Sequence, residues 1–123
     1  MKKTIFTIIL LVVIGVAFNV QAAVQVTATW SANTESDLAG YNIYRSTTSG
    51  SGYVKLNSSI IAKTSAPQYI DTIPDATEVT YYYVVTAVDT SGNESSYSSE
   101  ASTHIDTRAP SPPNGIKVTV NIQ

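Results

Sequence analysis

The stretch from Thr80 to Ser95 constrains the fold of this chain more than any other part of its sequence. Successive side chains of a strand point to opposite faces, and this stretch alternates between Tyr81, Tyr83, Val85, Ala87 and Tyr82, Val84, Thr86, Val88. Because β-branched and aromatic residues dominate, it predicts a strand. The side chains of the first set decrease in size from Tyr81 to Ala87, and we expect them to face the interior. The second set is expected to face water. The run Asp89–Asn93 predicts a chain reversal.

Five further segments have the composition and alternation of short strands, and turn residues lie between them. They are Val24–Trp30, Gly40–Arg45, Tyr53–Leu56, Gln68–Thr72 and Tyr97–Ile105. Beyond the first 22 residues, no segment shows helical periodicity. Six short strands predict an all-β sandwich or barrel. The one-sided alternation favours two sheets packed face to face.

The first 22 residues predict a secretory signal peptide. Lys2 and Lys3 precede an apolar run from Ile5 to Phe18, and Val20-Gln21-Ala22 places small residues at a cleavage site after Ala22. The alternative is an uncleaved membrane anchor, although the run is shorter than the roughly 20 residues that a span requires. We therefore expect an exported protein of the periplasm, the cell surface or the extracellular space, with no membrane association after cleavage.

Charge and cysteine content exclude several function classes. The chain has seven basic and nine acidic side chains, and cleavage after Ala22 would remove Lys2 and Lys3, which leaves a net charge of −4. This balance disfavours nucleic acids and anionic membrane surfaces as partners, because both require clustered Lys and Arg. The absence of cysteine excludes disulfides and thiolate metal sites.

The segment from Val24 to Asp106 resembles the fibronectin type III family. The resemblance rests on Trp30 at the end of a strand, D-L-A-G-Y-N-I-Y-R at 37–45, Y-I-D at 69–71 and the pattern Y-x-Y-x-V-x-A-x-D-x-x-G-N-E-S at 81–95. It implies an antiparallel, immunoglobulin-like β-sandwich of the fibronectin type III kind, preceded by a signal-peptide helix. Tyr81 resembles the tyrosine corner, whose hydroxyl bonds to nearby backbone. The expected core is Trp30, Tyr41, Ile43, Tyr69, Tyr81, Tyr83, Val85 and Ala87.

The chain departs from the family pattern at both ends of the expected sandwich. The family's first strand has no counterpart between the cleavage site and Val24. After the sandwich (residues 23–106), a Pro-rich linker (107–115) leads to a segment (116–123) that resembles such a first strand. Three arrangements remain open. The segment can fill the vacant position of its own domain, insert into the edge of the next molecule, or stay unpaired.

No candidate for catalysis or metal binding has the partners that the chemistry needs. His104 is the only histidine, and the turn Asp89–Glu94 lacks the spacing of a calcium loop. Asp71 and Asp75 flank a proline, Glu35 and Asp37 share a loop, and a sandwich this small is not expected to form a deep cleft at either pair. There is no G-x-S-x-G motif. We therefore predict a protein without catalytic residues, cofactor or metal.

Four tyrosines predicted to point outward form the candidate contact surface: Tyr44, Tyr53, Tyr82 and Tyr97. The loops Ser46–Gly52 and Thr90–Ser96 extend this surface. The predicted function is a non-enzymatic module for protein contact, adhesion or surface assembly, with a protein partner or self-association through the C-terminal strand. The alternative is a carbohydrate-binding accessory module of a polysaccharide-processing system, with the tyrosines facing sugar rings.

Overall fold

The computed structural model describes residues 23–74 and 76–121, which are entirely non-helical. The strands are β1 (Val24–Thr29), β2 (Leu38–Ser46), β3 (Val54–Lys55), β4 (Ile61–Ala62), β5 (Gln68–Ile73), β6 (Val79–Asp89) and β7 (Ala101–Ile105). The predicted signal peptide, Asp75 and the last two residues lie outside the described ranges. Within those ranges, no helix has the length and apolar character needed to cross a membrane. The prediction of an all-β fold is confirmed.

Two antiparallel sheets of unequal width face each other. One contains β1 and β5 alone, in a register that runs from Val24 opposite Ile73 to Thr29 opposite Gln68. The other has the order β3-β2-β6-β7, and β4 also pairs with β2. The long strand β6 is central, with eight residues paired to β2 on one side and five to β7 on the other.

The core lies between the sheets and is built from the inward parity of β2 and β6. Tyr41, Ile43, Tyr81 and Tyr83 are buried, as are Ile73 and Ile105 at one end of the sandwich. Besides Ile73, the contacts from the side of the narrow sheet come from half-buried residues, including Val24, Val26, Ala28, Trp30 and Tyr69. Val85 and Ala87 are also half-buried. The wide sheet is therefore covered better than the narrow one.

A buried ionic link joins the two sheets. The Asp71 carboxylate of β5 accepts a hydrogen bond of 2.7 Å from Nη1 of Arg45 on β2 and one of 2.8 Å from the Tyr83 hydroxyl on β6. Burial, and then the hydrogen bond to Asp71, raise the pKa of Tyr83 far above its ordinary value. The Arg45 guanidinium also lies 5.3 Å from the centre of the Tyr81 ring. This one carboxylate thus connects β2, β5 and β6.

The structure changes the interpretation of Tyr81. This side chain is buried in the core as expected, but among the described residues its hydroxyl makes no hydrogen bond to the backbone. The Tyr83 hydroxyl makes the inter-sheet bond instead.

The structure refines two predictions: the outer face is partly covered, and the strand predicted at Tyr97–Ile105 forms only over its last five residues. Val84 and Thr86, predicted to face water, are buried, and the Thr86 hydroxyl donates to Glu94 across the outer face. The last strand is Ala101–Ile105, whereas 97–100 is irregular. There the hydroxyls of Ser95 and Ser98 accept the hydrogen bonds of Ala87 N and Val85 N, each at 2.9 Å. Serine side chains thus take the place of backbone carbonyls in the ladder.

We predict that Asp71→Asn lowers the free energy of unfolding by about 2–4 kcal/mol, because it leaves Arg45 without its anion in a partly buried site. Tyr83→Phe, which removes one hydrogen bond, should cost about 1 kcal/mol. Both are measured by chemical denaturation at neutral pH. The surface variant Asp37→Asn is the control and should change stability by less than about 0.5 kcal/mol. Equal stability of Asp71→Asn and wild type would contradict the ionic link.

Candidate contact site

Three of the four predicted tyrosines meet on the outer face of the wide sheet. The Tyr97 ring lies 5.2 Å from that of Tyr44 and 5.1 Å from that of Tyr53, measured between centroids, at interplanar angles of 69° and 60°. We call Tyr44, Tyr53 and Tyr97 the tyrosine patch. Tyr97 is 49% exposed, while the two flanking rings are half-buried. The patch therefore presents one exposed ring held edge-on between two others.

Glu94 anchors one side of the tyrosine patch. Its Oε1 accepts hydrogen bonds from Thr86 Oγ1 at 2.5 Å, from the Tyr44 hydroxyl and from Asn42 Nδ2 at 3.1 Å. These hydrogen bonds, of which the one from Thr86 has the largest effect, hold the pKa of Glu94 below its ordinary value. The charge of Lys55 lowers this pKa further. A residue of the turn after β6 thus orients a tyrosine on β2.

Glu100 anchors the other side. Its carboxylate accepts hydrogen bonds from the Tyr53 hydroxyl, from Ser49 Oγ at 2.7 Å and from Gly50 N at 2.8 Å. The bond from Tyr53, followed by that from Gly50, lowers the pKa of Glu100. Gly50 has a φ of 76°, a conformation that favours glycine. The carboxylate thus ties the loop between β2 and β3 to the segment that precedes β7.

Tyr82 does not join the tyrosine patch. It lies opposite Ser46 and Ser102 in the sheet and makes no ring contact with the other three tyrosines. Conversely, the sequence placed Glu94 only within the loop Thr90–Ser96 of the predicted surface, and Glu100 was not identified. Each binds a tyrosine about 50 residues away in the sequence. No local spacing signals such a contact.

The polar residues considered for chemistry have structural roles here. His104 lies on β7 with its Nδ1 3.2 Å from Thr80 Oγ1. Asp89 accepts hydrogen bonds from the N–H groups of Ser91 and Asn93 and from Asn93 Nδ2. Bonding to Asn93 lowers the pKa of this carboxyl. Among the described residues, no three His, Asp or Glu side chains cluster in a way that could hold a metal ion.

A second surface lies at the open side of the sandwich. A groove of about 400 Å³ runs between β1 and β7, and we call it the open groove. It is lined by Val26–Trp30, Tyr83, Val85, Ser98, Ser99 and Ala101–Thr103. Trp30 packs edge-on against Tyr41, with ring centroids 5.4 Å apart. Its buried Nε1 has no hydrogen-bond partner in the part of the chain that the structure describes.

The segment predicted as a C-terminal strand forms no strand over residues 116–121. Ile116, Val118 and Val120 are 91%, 83% and 77% exposed. Insertion into the chain's own open groove, one of the three expected arrangements, is therefore not the arrangement of this structure. The physical reason is that an isolated segment has no neighbour to complete its backbone hydrogen bonds.

The chain is similar to a solved structure described as a Fn3-like protein from Clostridium thermocellum. The two are 36% identical, and the match covers 62% of this chain and 73% of that one, with a TM-score of 0.45. No family model and no curated protein matches the chain. The identity over most of that protein, rather than the superposition, gives the comparison its weight.

We predict that the stabilising effect of Glu94 depends on pH. Because its pKa is lower in the folded state, its contribution is complete above the ordinary value of 4.5 and is lost as the pH falls through the lowered value. Glu94→Gln should therefore lower the free energy of unfolding at pH 7 by about 1 kcal/mol or less. This difference should shrink in acid, as measured by denaturation at a series of pH values.

Glu35→Gln, on an exposed loop, is the matched control for the removal of a carboxylate. A gap between wild type and Glu94→Gln that stays constant from neutral pH into acid would contradict the role of this carboxylate.

Proposed function

This chain belongs to the fibronectin type III-like family, and we propose that it is a non-enzymatic, exported module that makes protein–protein contacts through its tyrosine patch. The observation that carries the proposal is the exposed Tyr97 ring, fixed between Tyr44 and Tyr53. Export is supported by the sequence of the first 22 residues.

Tyrosines held in one geometry are suited to protein contact. A tyrosine ring provides a large contact area with few rotatable bonds, so little conformational entropy is lost on binding. In the tyrosine patch, even that loss is reduced, because the hydroxyls of Tyr44 and Tyr53 are already bound to Glu94 and Glu100. The patch thus has the features of a preorganised anchor.

Charged groups surround this anchor. Glu94 and Glu100 carry negative charge on either side, and Lys55 lies close enough to Glu94 to affect its pKa. A central aromatic anchor with a polar rim is the usual arrangement of residues that contribute most to protein interfaces. The acidic rim favours a partner surface that carries Lys or Arg.

Ring geometry favours a protein partner over the carbohydrate alternative. Stacking of successive sugar rings requires aromatic faces that lie in one plane and point outward. The rings of Tyr44 and Tyr53 are tilted by 69° and 60° from that of Tyr97, so the three ring faces do not lie in one plane. The three tyrosines therefore form a compact cluster of tilted rings and not a flat aromatic strip.

The carboxylates near the tyrosine patch support a non-enzymatic role. Glu94 and Glu100 each accept several hydrogen bonds from groups of the protein itself. The pKa of each is lowered, whereas a general acid needs a raised one. Their arrangement serves to orient tyrosines.

We predict that a photo-cross-linking phenylalanine analogue at position 97 captures a discrete protein in the envelope of the native host. The same analogue at Thr72, which is exposed on the opposite face of the sandwich, is the control and should capture several-fold less. Both variants are expressed as the full chain, and adducts are identified by mass spectrometry. Equal or absent capture at the two positions would count against the tyrosine patch as a contact surface.

The carbohydrate alternative is tested with Tyr97→Ala and Thr72→Ala on insoluble polysaccharides. We expect neither wild type nor variants to be retained. Retention of the wild type that Tyr97→Ala abolishes would favour the carbohydrate-binding function instead. Because Tyr97 is half exposed, its truncation should cost only about 1 kcal/mol of stability, so lost binding would not report unfolding.

A further inference from the structure

We propose that the open groove of one copy binds residues 116–121 of a second copy as an added strand that runs antiparallel to β1. We call this segment the tail. The contact is separate from the tyrosine patch and does not depend on it. It joins the C-terminal segment of each molecule to the exposed sheet edge of the next, and so builds linear chains.

The acceptor is the free edge of β1. Among the described residues, β5 is the only strand that pairs with β1. Every second residue of an antiparallel strand directs its N–H and C=O away from a given neighbour. The β1 backbone therefore presents a row of donors and acceptors on the side opposite β5, as in other sheets that bind an added strand.

Side chains beside this edge also lack full cover. The inward residues Val24, Val26 and Ala28 are only half-buried, although they pack on the core. The open groove next to them has a volume of about 400 Å³ and contains the apolar surfaces of Trp30 and Val85. A strand with apolar side chains on one face would both pair with the β1 backbone and cover these residues.

The tail has the properties of that strand. Its apolar residues Ile116, Val118 and Val120 alternate with Lys117, Thr119 and Asn121, so one face is apolar and the other polar. These apolar residues are 77–91% exposed, which is more than any other large hydrophobic residue that the structure describes.

The direction of the chain favours a second copy over the tail's own groove. Val24 lies opposite Ile73, and Val79 lies opposite Ile105, so the start of β1 and the end of β7 are at the same end of the sandwich. The tail leaves from that end. To run antiparallel to its own β1, it must begin at the other end, near Trp30, about 20 Å away for a six-residue strand.

The linker composition opposes such a return. Residues 106–115 include Pro110, Pro112 and Pro113, and Pro-rich linkers are extended and semi-rigid. All residues of this linker are exposed, and none forms a β-pair with either sheet. A stiff linker projects the tail away from its own domain. A second copy placed end to end receives the tail near its Trp30, and no reversal is required.

The symmetry of this contact predicts open chains. The tail and the groove are different surfaces at different places on one molecule, so the contact is heterologous. Such contacts continue until the ends meet, and a contact along the long axis of the sandwich gives filaments. The proposed partner is therefore a second copy of this chain.

The test compares Val118→Asp with Thr119→Asp in the chain that begins at Ala23. Both variants place one negative charge on the tail, but Val118 belongs to the apolar face and Thr119 to the polar face. Mass is measured by size-exclusion chromatography with light scattering from micromolar to millimolar concentration. We expect the mass of wild type and Thr119→Asp to rise with concentration, and Val118→Asp to stay monomeric.

Trp30 provides a second readout, since it is the only tryptophan and lines the open groove. Its fluorescence should shift to shorter wavelength on concentrating the wild type, but not Val118→Asp. A synthetic peptide of residues 115–123 should produce the same shift in Val118→Asp and should reduce the mass of wild-type oligomers.

Binding of the tail beside β1 is tested with cysteines, because the chain has none. A chain with Thr27→Cys mixed with one carrying Thr119→Cys should form a disulfide-linked heterodimer under an added oxidant. Thr119→Cys mixed with Ser49→Cys, on a loop at the edge of the wide sheet, is the control and should form several-fold less.

Three results would overturn the proposal. If wild type is monomeric at every concentration and Val118→Asp lowers its melting temperature, the tail occupies its own groove. If wild type is monomeric and Val118→Asp leaves the melting temperature unchanged, the tail is unpaired. Oligomers that persist equally in Val118→Asp would also overturn it, because another surface would then hold the copies together.

Discussion

The inter-sheet link of Asp71 with Arg45 and Tyr83 is the interaction on which the sandwich depends. The narrow sheet has two strands and contributes half-buried side chains, so its apolar contacts are fewer than those of a complete layer. A buried carboxylate with two donors from the wide sheet fixes the relative position of the layers, because an unpaired charge there would be costly. The orientation of β1, and with it the shape of the open groove, follows from this link.

The two candidate contact surfaces arise from different physical situations. The tyrosine patch is complete in the single chain: the hydroxyls of Tyr44 and Tyr53 are bound, the rings are packed, and one ring is presented to a partner. The open groove is incomplete, since an edge strand and several apolar side chains lack cover. A complete surface is suited to a contact that can be made and broken. An incomplete one is suited to a lasting contact, because strand addition supplies backbone hydrogen bonds and apolar burial together.

Local patterns were sufficient for most of the fold. The alternation in 81–88 and the residues of the turn after it located β6 and its end, and the family motifs located β2 and β5. Local patterns failed where a side chain accepted a backbone hydrogen bond in place of a carbonyl, or covered part of the outer face of the sheet. Ser95 and Ser98 replace carbonyls beside β6, and Glu94 covers Thr86, so 97–100 is no strand and part of the outer parity is buried. Such contacts depend on groups that are distant in sequence.

The sequence by itself determined that this chain is all-β, which parity of each strand is apolar on the whole, and that its last segment has strand character without an obvious neighbour. These properties follow from periodicity and residue type, which are local. Only the tertiary structure decided that Tyr97, and not Tyr82, joins Tyr44 and Tyr53, and that Glu94 and Glu100 hold them. It alone showed the tail outside its own groove. The reason is that long-range pairings depend on how strands are ordered in the sheets, and strand order is a property of the whole chain.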